Sequence, residues 1–189
     1  MADAHEGAIR APKIFPAGAD VHRGSLADLE SPGSGATAAD GVIHTAYIQD
    51  FSKYKENCEM DRRAIEALGS ALAGSDRSLI FTSVTALVGQ GQVATEDMPV
   101  SNASSLPRAS SEEAAGSAAM REVRVSVIRL SPSVHGDGDH ALVPALINIA
   151  REKSVSACIG DGLNRWPAVH RLDAARLFRL ALEKNAARA

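Results

Sequence analysis

Three histidines, His44, His135 and His170, stand where loops could use them. An imidazole can move a proton near neutral pH or ligate a metal, but the spacing of these three fits no metal motif. No metal is expected, and the plain reading of each is a hydrogen-bonded loop histidine. Trp166, the single tryptophan, could stack on a substrate ring, although in so aromatic-poor a chain a packing anchor is the simpler expectation. Glu96 and Asp97 are adjacent carboxylates, but neighbours on extended backbone point apart and make no acid–base pair. Gly136-Asp137-Gly138-Asp139 offers two carboxylates where calcium wants about six to eight oxygens, so it reads as a turn and helix cap. Cys58 and Cys158 are distant and in no metal spacing, which suits reduced thiols of a cytoplasmic protein.

Such groups need elements to hold them. Residues 123–130, VRVSVIRL, read as a buried strand, which Pro132 breaks and Gly136 and Gly138 turn towards a helix. In open α/β sheets ligands sit outside the carboxyl ends of strands, so residues 132–135 are the first place to look for one. Residues 41–46, GVIHTA, predict a strand ending in small side chains that a backbone or a flat ligand could approach. Over residues 54–73, Ala64, Ile65, Leu68, Ala71 and Leu72 share one helix face, and Asn57 and Asp61 extend it towards the occupant of a cleft. A strand follows at residues 79–83.

The remaining elements are weaker. Residues 20–24 read as a short strand, with Ser25 capping a brief helix over LADLE that Pro32, Gly33 and Gly35 stop. Residues 90–112 are a polar loop suited to a lid, and a helix over 112–121 feeds the strand at 123. Then come a helix over 141–153, a short strand at 155–159, a turn at Gly160-Asp161-Gly162, and a strand over 166–169. A last helix carries Ala174, Leu177, Phe178, Ala181 and Leu182 on one face. Strand and helix alternate, which predicts a parallel sheet with helices on both faces over residues 20–189, behind an irregular lead-in over residues 1–19.

Composition narrows the partners. A chain of 189 residues, 45% hydrophobic, suffices for one domain or for part of a larger one. The net charge of −3 and the lack of a basic stripe argue against nucleic acid. No apolar run approaches the ~18 residues needed to span a membrane, and the acidic start has no apolar core of a secretory signal, so a cytoplasmic location is expected.

Five segments stand in a telling order: Asp40-Gly41-Val42-Ile43-His44-Thr45-Ala46; Asn57 opening a helix; Phe81-Thr82-Ser83; residues 129–136, RLSPSVHG; and Gly160-Asp161-Gly162 with residues 166–173, WPAVHRLD. Together they resemble the NAD-dependent epimerase/dehydratase group, the extended short-chain dehydrogenases, from about residue 21 to 184. The resemblance implies that His44, Thr45 and Ala46 line the cofactor, with Asn57 beside that loop and Pro132, Ser133 and Val134 near the nicotinamide. Arg165, Trp166 and His170 would face substrate. Ser25 stands where the family often carries an Asp that meets the adenine.

The sequence departs from that family in two ways. The family opens with a strand and a Gly-x-x-Gly-x-x-Gly turn that seats pyrophosphate on a helix N-terminus. Here Gly33/Gly35, Gly89/Gly91, Gly136/Gly138 and Gly160/Gly162 are all two-glycine turns. The family's Tyr-x-x-x-Lys sets a phenol beside an ammonium that lowers its pKa; at the expected place this chain has Arg108 and Glu112. Tyr47 and Tyr54 are followed four residues on by Phe51 and Cys58. The family's Ser/Thr falls at Val84, leaving Ser83 or Thr85 to meet a substrate oxygen.

The expectation is therefore a Rossmann-like parallel α/β sheet with helices on both faces, truncated at the N-terminal βαβ unit and at the C-terminal substrate part. Its function would be that of an NAD(P)-dependent oxidoreductase or epimerase of the short-chain dehydrogenase type. NAD or NADP would be the cofactor, a small carbonyl, alcohol or sugar-like molecule the substrate, and the catalytic machinery degenerate. The alternative is a non-catalytic Rossmann-like remnant with a structural or interaction role. Loss of a central strand would expose apolar neighbours, so a homo-oligomer is expected too.

Overall fold

The computed structural model describes residues 18–88, 93–100 and 106–184. Three parallel strands, β1 (Gly41–His44), β2 (Ser78–Val84) and β3 (Arg124–Leu130), form a sheet in the order β1-β2-β3. Val42 lies beside Leu79, and Leu79 beside Val125; two residues on, His44, Phe81 and Val127 line up. Side chains alternate along each strand, so these rows share one face. That face packs beneath α1 (Glu30–Thr37), α2 (Tyr54–Leu72) and α3 (Ala109–Ala119), where Ala36, Ile65, Leu68, Leu72, Ala114, Ala115 and Ala118 bury the strand residues. The opposite face puts Ile80 and Ile128 against Phe178 of α5 (Arg171–Glu183). This is the parallel, doubly covered sheet that the alternating pattern predicts.

Past Pro132 the chain leaves that sheet. Ser133–His135 is a short strand, β4, rather than a loop, and pairs in parallel with β5 (Ala168–His170). Between them α4 (Leu142–Lys153) has no buried residue, and Val143, Leu146, Ile147 and Ile149 are exposed.

Several local expectations are corrected. Residues 20–24 form no strand, and the first helix begins only at Glu30, the last residue of LADLE, running through Pro32, Gly33 and Gly35 instead of ending there. Proline is tolerated because it falls in the first turn, where backbone N–H groups need no intrahelical partner. Residues 155–159 are exposed and irregular, with no strand beside them among the described residues. The helix expected over 112–121 begins at Ala109 and ends at Ala119. The strand expected over 166–169 is shorter and sits at Ala168–His170. Of the irregular lead-in and the polar loop, residues 1–17, 89–92 and 101–105 lie outside the described residues. Among those described, no helix is long and apolar enough to cross a membrane.

Arg77 ties two helix ends to the start of β2. Its Nη1 donates to the carbonyls of Ala36, Thr37 and Ala39, Nη2 to that of Ala71, and Nε to Ser75 Oγ. Helix C-termini leave carbonyls unsatisfied, and a planar cation with several donors meets many at once. Arg77→Met should lower unfolding free energy by about 2 kcal/mol, as hydrogen bonds to a charged group are lost. Arg77→Lys should recover only part of it, both read from urea midpoints at constant slope.

Candidate functional site

Towards the carboxyl ends of the strands, the α2/α3 face of the sheet turns from apolar to polar. His44 on β1 and, one step further along, Ser83 on β2 beside Arg129 on β3 face α2 and α3. Asp61 of α2 lies among them, 1% exposed. His44 donates from Nε2 to Asp61 Oδ1 at 2.7 Å, and Ser111 Oγ donates to Oδ2 at 2.6 Å. Arg108 Nη1 also donates to Oδ2 and reaches Ser111 Oγ at 2.6 Å, while Nη2 donates to the Thr82 carbonyl at 2.6 Å. Burial alone would raise the pKa of Asp61; the His44 bond, the charge of Arg108 and the Ser111 bond outweigh it and hold the carboxyl below its ordinary value.

Arg108 also carries an aromatic ring. Its guanidinium carbon lies 4.2 Å from the ring centroid of Tyr47, whose hydroxyl is 3.4 Å from Cys58 Sγ. Burial and Cys58 push the Tyr47 phenol well above its ordinary value, against the pull of Arg108. Burial and Cys58 raise Tyr54 as well.

A second cluster closes the β3 side. Ser83 Oγ donates to Glu112 Oε1 at 2.5 Å, and Arg129 grips both Glu112 oxygens, Nε to Oε1 at 3.0 Å and Nη2 to Oε2 at 2.7 Å. The Glu112 bond raises the Arg129 pKa against its desolvation. Arg129 Nη1 reaches on to the carbonyls of Glu96 and Met98, fastening that segment to the sheet. A cleft of about 160 Å³ opens beside it, lined by Pro99, Val100, Ala109, Glu112, Glu113 and Arg129.

The residues chosen from sequence are distributed unevenly around these clusters. Ser83 is fully buried on Glu112, and Thr85 opens a 3-10 turn beyond β2. Thr45 and Ala46 are exposed past β1. The buried amide of Asn57 donates to the Asp50 carbonyl at 2.9 Å and so shapes the loop. Ser25 Oγ accepts from the Ala27 amide in a local turn. Pro132, Ser133 and Val134 are half-buried as the chain passes from β3 into β4. Arg165 is exposed, and Trp166, 57% exposed, anchors no core. His170 caps α5 by accepting from the Leu172 amide, with its ring 5.5 Å from that of His135. Glu96 and Asp97 are both exposed, as expected of unpaired neighbours, and the described residues contain no group of three or more potential metal ligands.

Sequence reasoning gave Arg129 and Tyr47 no site role, and placed Asp61 towards the occupant of a cleft, whereas it is buried under His44, Arg108 and Ser111. The available signals were an arginine sharing a strand face with Val125 and Val127, and an aspartate on the apolar face of α2.

The profile of the NAD dependent epimerase/dehydratase family matches residues 17–189. The chain is 51% identical over 178 residues to the uncharacterized protein C2A9.02 of Schizosaccharomyces pombe, covering 94% of this chain and 60% of that one. It is 42% identical over 185 residues to the uncharacterized protein YLL056C of Saccharomyces cerevisiae, covering 98% and 62%. It thus spans less than two thirds of the curated relatives it matches. Among solved structures, dTDP-glucose 4,6-dehydratase DesIV of Streptomyces venezuelae, with NAD and DAU bound, superposes at a TM-score of 0.70 with 19% identity, over 95% of this chain and 60% of that chain. The NAD complex of Thermus thermophilus UDP-glucose 4-epimerase does so at 0.64, also at 19%, over 87% and 60%. These superpositions establish a shared fold.

The Asp61 cluster makes stability depend on pH. A carboxyl whose folded pKa is depressed stabilises fully above its unfolded value of about 3.9, and that contribution is lost as pH falls through the folded value. Acid unfolding should therefore steepen below about pH 4, and Asp61→Asn should flatten that limb. At neutral pH the same substitution strands Arg108 and should cost about 3–5 kcal/mol, read by urea unfolding across pH.

Proposed function

The chain belongs to the NAD dependent epimerase/dehydratase family, and we propose that it is an NAD(P)-dependent oxidoreductase or epimerase of the short-chain dehydrogenase type. Its substrate would be a small carbonyl, alcohol or sugar-like molecule. The observation that carries this reading is the register of the sheet. His44 lies beside Phe81 and Val84 beside Leu130, so three parallel strands end at one edge. Residues 45–46, 85 and 131–134 therefore leave the sheet together, where open α/β sheets take their ligands.

The residues present there fit a nicotinamide cofactor. Exposed, small Thr45 and Ala46 follow β1, and half-buried Pro132, Ser133 and Val134 follow β3. These would hold the cofactor, with Ser25 towards the adenine, while His44 and Asn57 hold their loop through Asp61 and Asp50. Bound there, the nicotinamide would supply or take up a hydride. Arg165, Trp166 and His170 would meet the substrate. Exposed apolar residues on α4 support a homo-oligomer, and a cytoplasmic setting suits the free thiols Cys58 and Cys158.

A second reading is favoured by one observation. Arg108 and Glu112 occupy the places where a phenol and an ammonium would stand, and both are committed to internal ion pairs. A chain so altered could keep the sheet as a non-catalytic remnant.

A thermal-shift titration with NADH and NADPH separates the two. A ligand at 100 times its dissociation constant adds about 2.7 kcal/mol to the folded state, a shift of several degrees. We expect a saturable shift with one of the two, and Ala46→Trp should abolish it while melting as cooperatively as the parent. No shift up to millimolar ligand would leave only the non-catalytic reading.

A further inference from the structure

We propose that α4 is the face through which two copies of this chain pair, the two α4 helices lying antiparallel across a two-fold axis. This assigns a surface and a symmetry to the homo-oligomer proposed above, on which it rests, and is independent of any cofactor. Leu142, Val143, Leu146, Ile147, Ile149 and Ala150 recur at helical spacing and form one broad apolar stripe. Such a stripe ordinarily packs on the body of its own protein. Here no residue of α4 is buried, and Val143, Leu146, Ile147 and Ile149 are 42% to 54% exposed. A contiguous row of large aliphatic side chains left in water marks an interaction surface.

Charge selects a second copy as the occupant. Asp137 and Asp139 lie just before the helix, and Arg151 and Lys153 lie in its last turn. Asp139 Oδ1 accepts from the Ala141 amide at 2.9 Å, which fixes the acidic turn against the helix start. Asp137, Arg151 and Lys153 are exposed and make no ion pair with any described residue. In an antiparallel pair the acidic end of one helix meets the basic end of the other, twice over, and the opposed helix dipoles favour the same arrangement. An axis near Ile147 puts Leu146 of one copy beside Ile149 of the other, with the charges at both rims. The longest helix, α2, is less suited to this, because its outward Arg62 is already bound to Glu59 and Glu66.

Sedimentation velocity of the parent chain, from micromolar to submillimolar, should show a monomer–dimer equilibrium that goes no further than two copies. Leu146→Glu alters an exposed position, so it should keep the parent's circular dichroism. It should raise the dissociation constant about 100-fold, because one substitution enters the contact twice. Lys153→Glu should raise it about threefold to tenfold, and adding Asp137→Lys should restore it. As a second readout, Ile147→Cys in a Cys158→Ser background should form a disulfide-linked dimer under oxidised glutathione. Met120→Cys in the same background, exposed just past α3, should not. A parent that stays monomeric throughout would overturn the proposal and the homo-oligomer together, leaving the face to another partner. A parent that dimerises while Leu146→Glu dimerises equally well, or while Ile147→Cys cross-links no faster than Met120→Cys, would overturn this interface and leave the homo-oligomer standing. Association that runs past the dimer would overturn it as well, since a closed two-fold contact cannot propagate.

Discussion

A carboxylate sealed from water must be compensated, and around Asp61 that requirement organises the upper half of the fold. An unpaired charge in a protein interior is far costlier than the net worth of any single contact made to it. Asp61 is met by His44 from β1, Arg108 from the start of α3 and Ser111 one turn further on. Arg108 in turn takes the Thr82 carbonyl of β2. Two strands and two helices thus meet at one carboxylate. Their relative heights are fixed more sharply than apolar packing alone could fix them, since slipping any one by a residue would strand a buried charge. Among the described residues no buried side-chain nitrogen or oxygen lacks a partner, so the network is complete.

The division of the sheet face into apolar and polar rows follows from the same geometry. The lower rows, Val42 with Leu79 and Val125, meet the middle of α2 and the alanine face of α3 and can pack without polar atoms. The upper row meets the first turns of α3 and the N-terminal half of α2, close to strand ends where backbone carbonyls and loops also need partners. Arg129 shows how one side chain serves several of these at once. It neutralises Glu112, through Glu112 orients Ser83, and with its remaining nitrogen holds two carbonyls of the segment ending at Pro99. Stability and the shape of this edge of the sheet are therefore set by the same few cations.

Much of the fold could be read from local pattern, because β1, β2, β3 and α2 each carry their burial in their own periodicity. The failures have local causes too. Pro32 looks like a stop in sequence, but in the first turn of α1 its missing N–H costs nothing. Residues 155–159 have strand-like composition but pair with no strand among the described residues. Residues 133–135 have one, Ala168–His170, only because the chain returns more than thirty positions later. The site was harder to read. Asp61 was visible as a polar residue on an apolar helix face, yet that pattern suits a cleft-facing group as well as a buried one. What decides is Arg108, forty-seven residues away, and nothing near Asp61 in sequence announces it. The Ser83–Glu112 bond likewise joins residues twenty-nine apart.

The pair Arg108 and Glu112 shows why replacing a reactive pair reorganises a site rather than merely emptying it. One helical turn apart on α3, both project towards the strand ends. A phenol there could remain neutral beside its cation and needs no acid beneath it. A guanidinium buried at the same place must have a carboxylate, and Asp61 answers it; a buried carboxylate at 112 must have a cation, and Arg129 answers that. Each replacement therefore fixes the identity of a further residue on another element. The edge remains polar, but the charges at positions 108 and 112 face inward onto partners of their own.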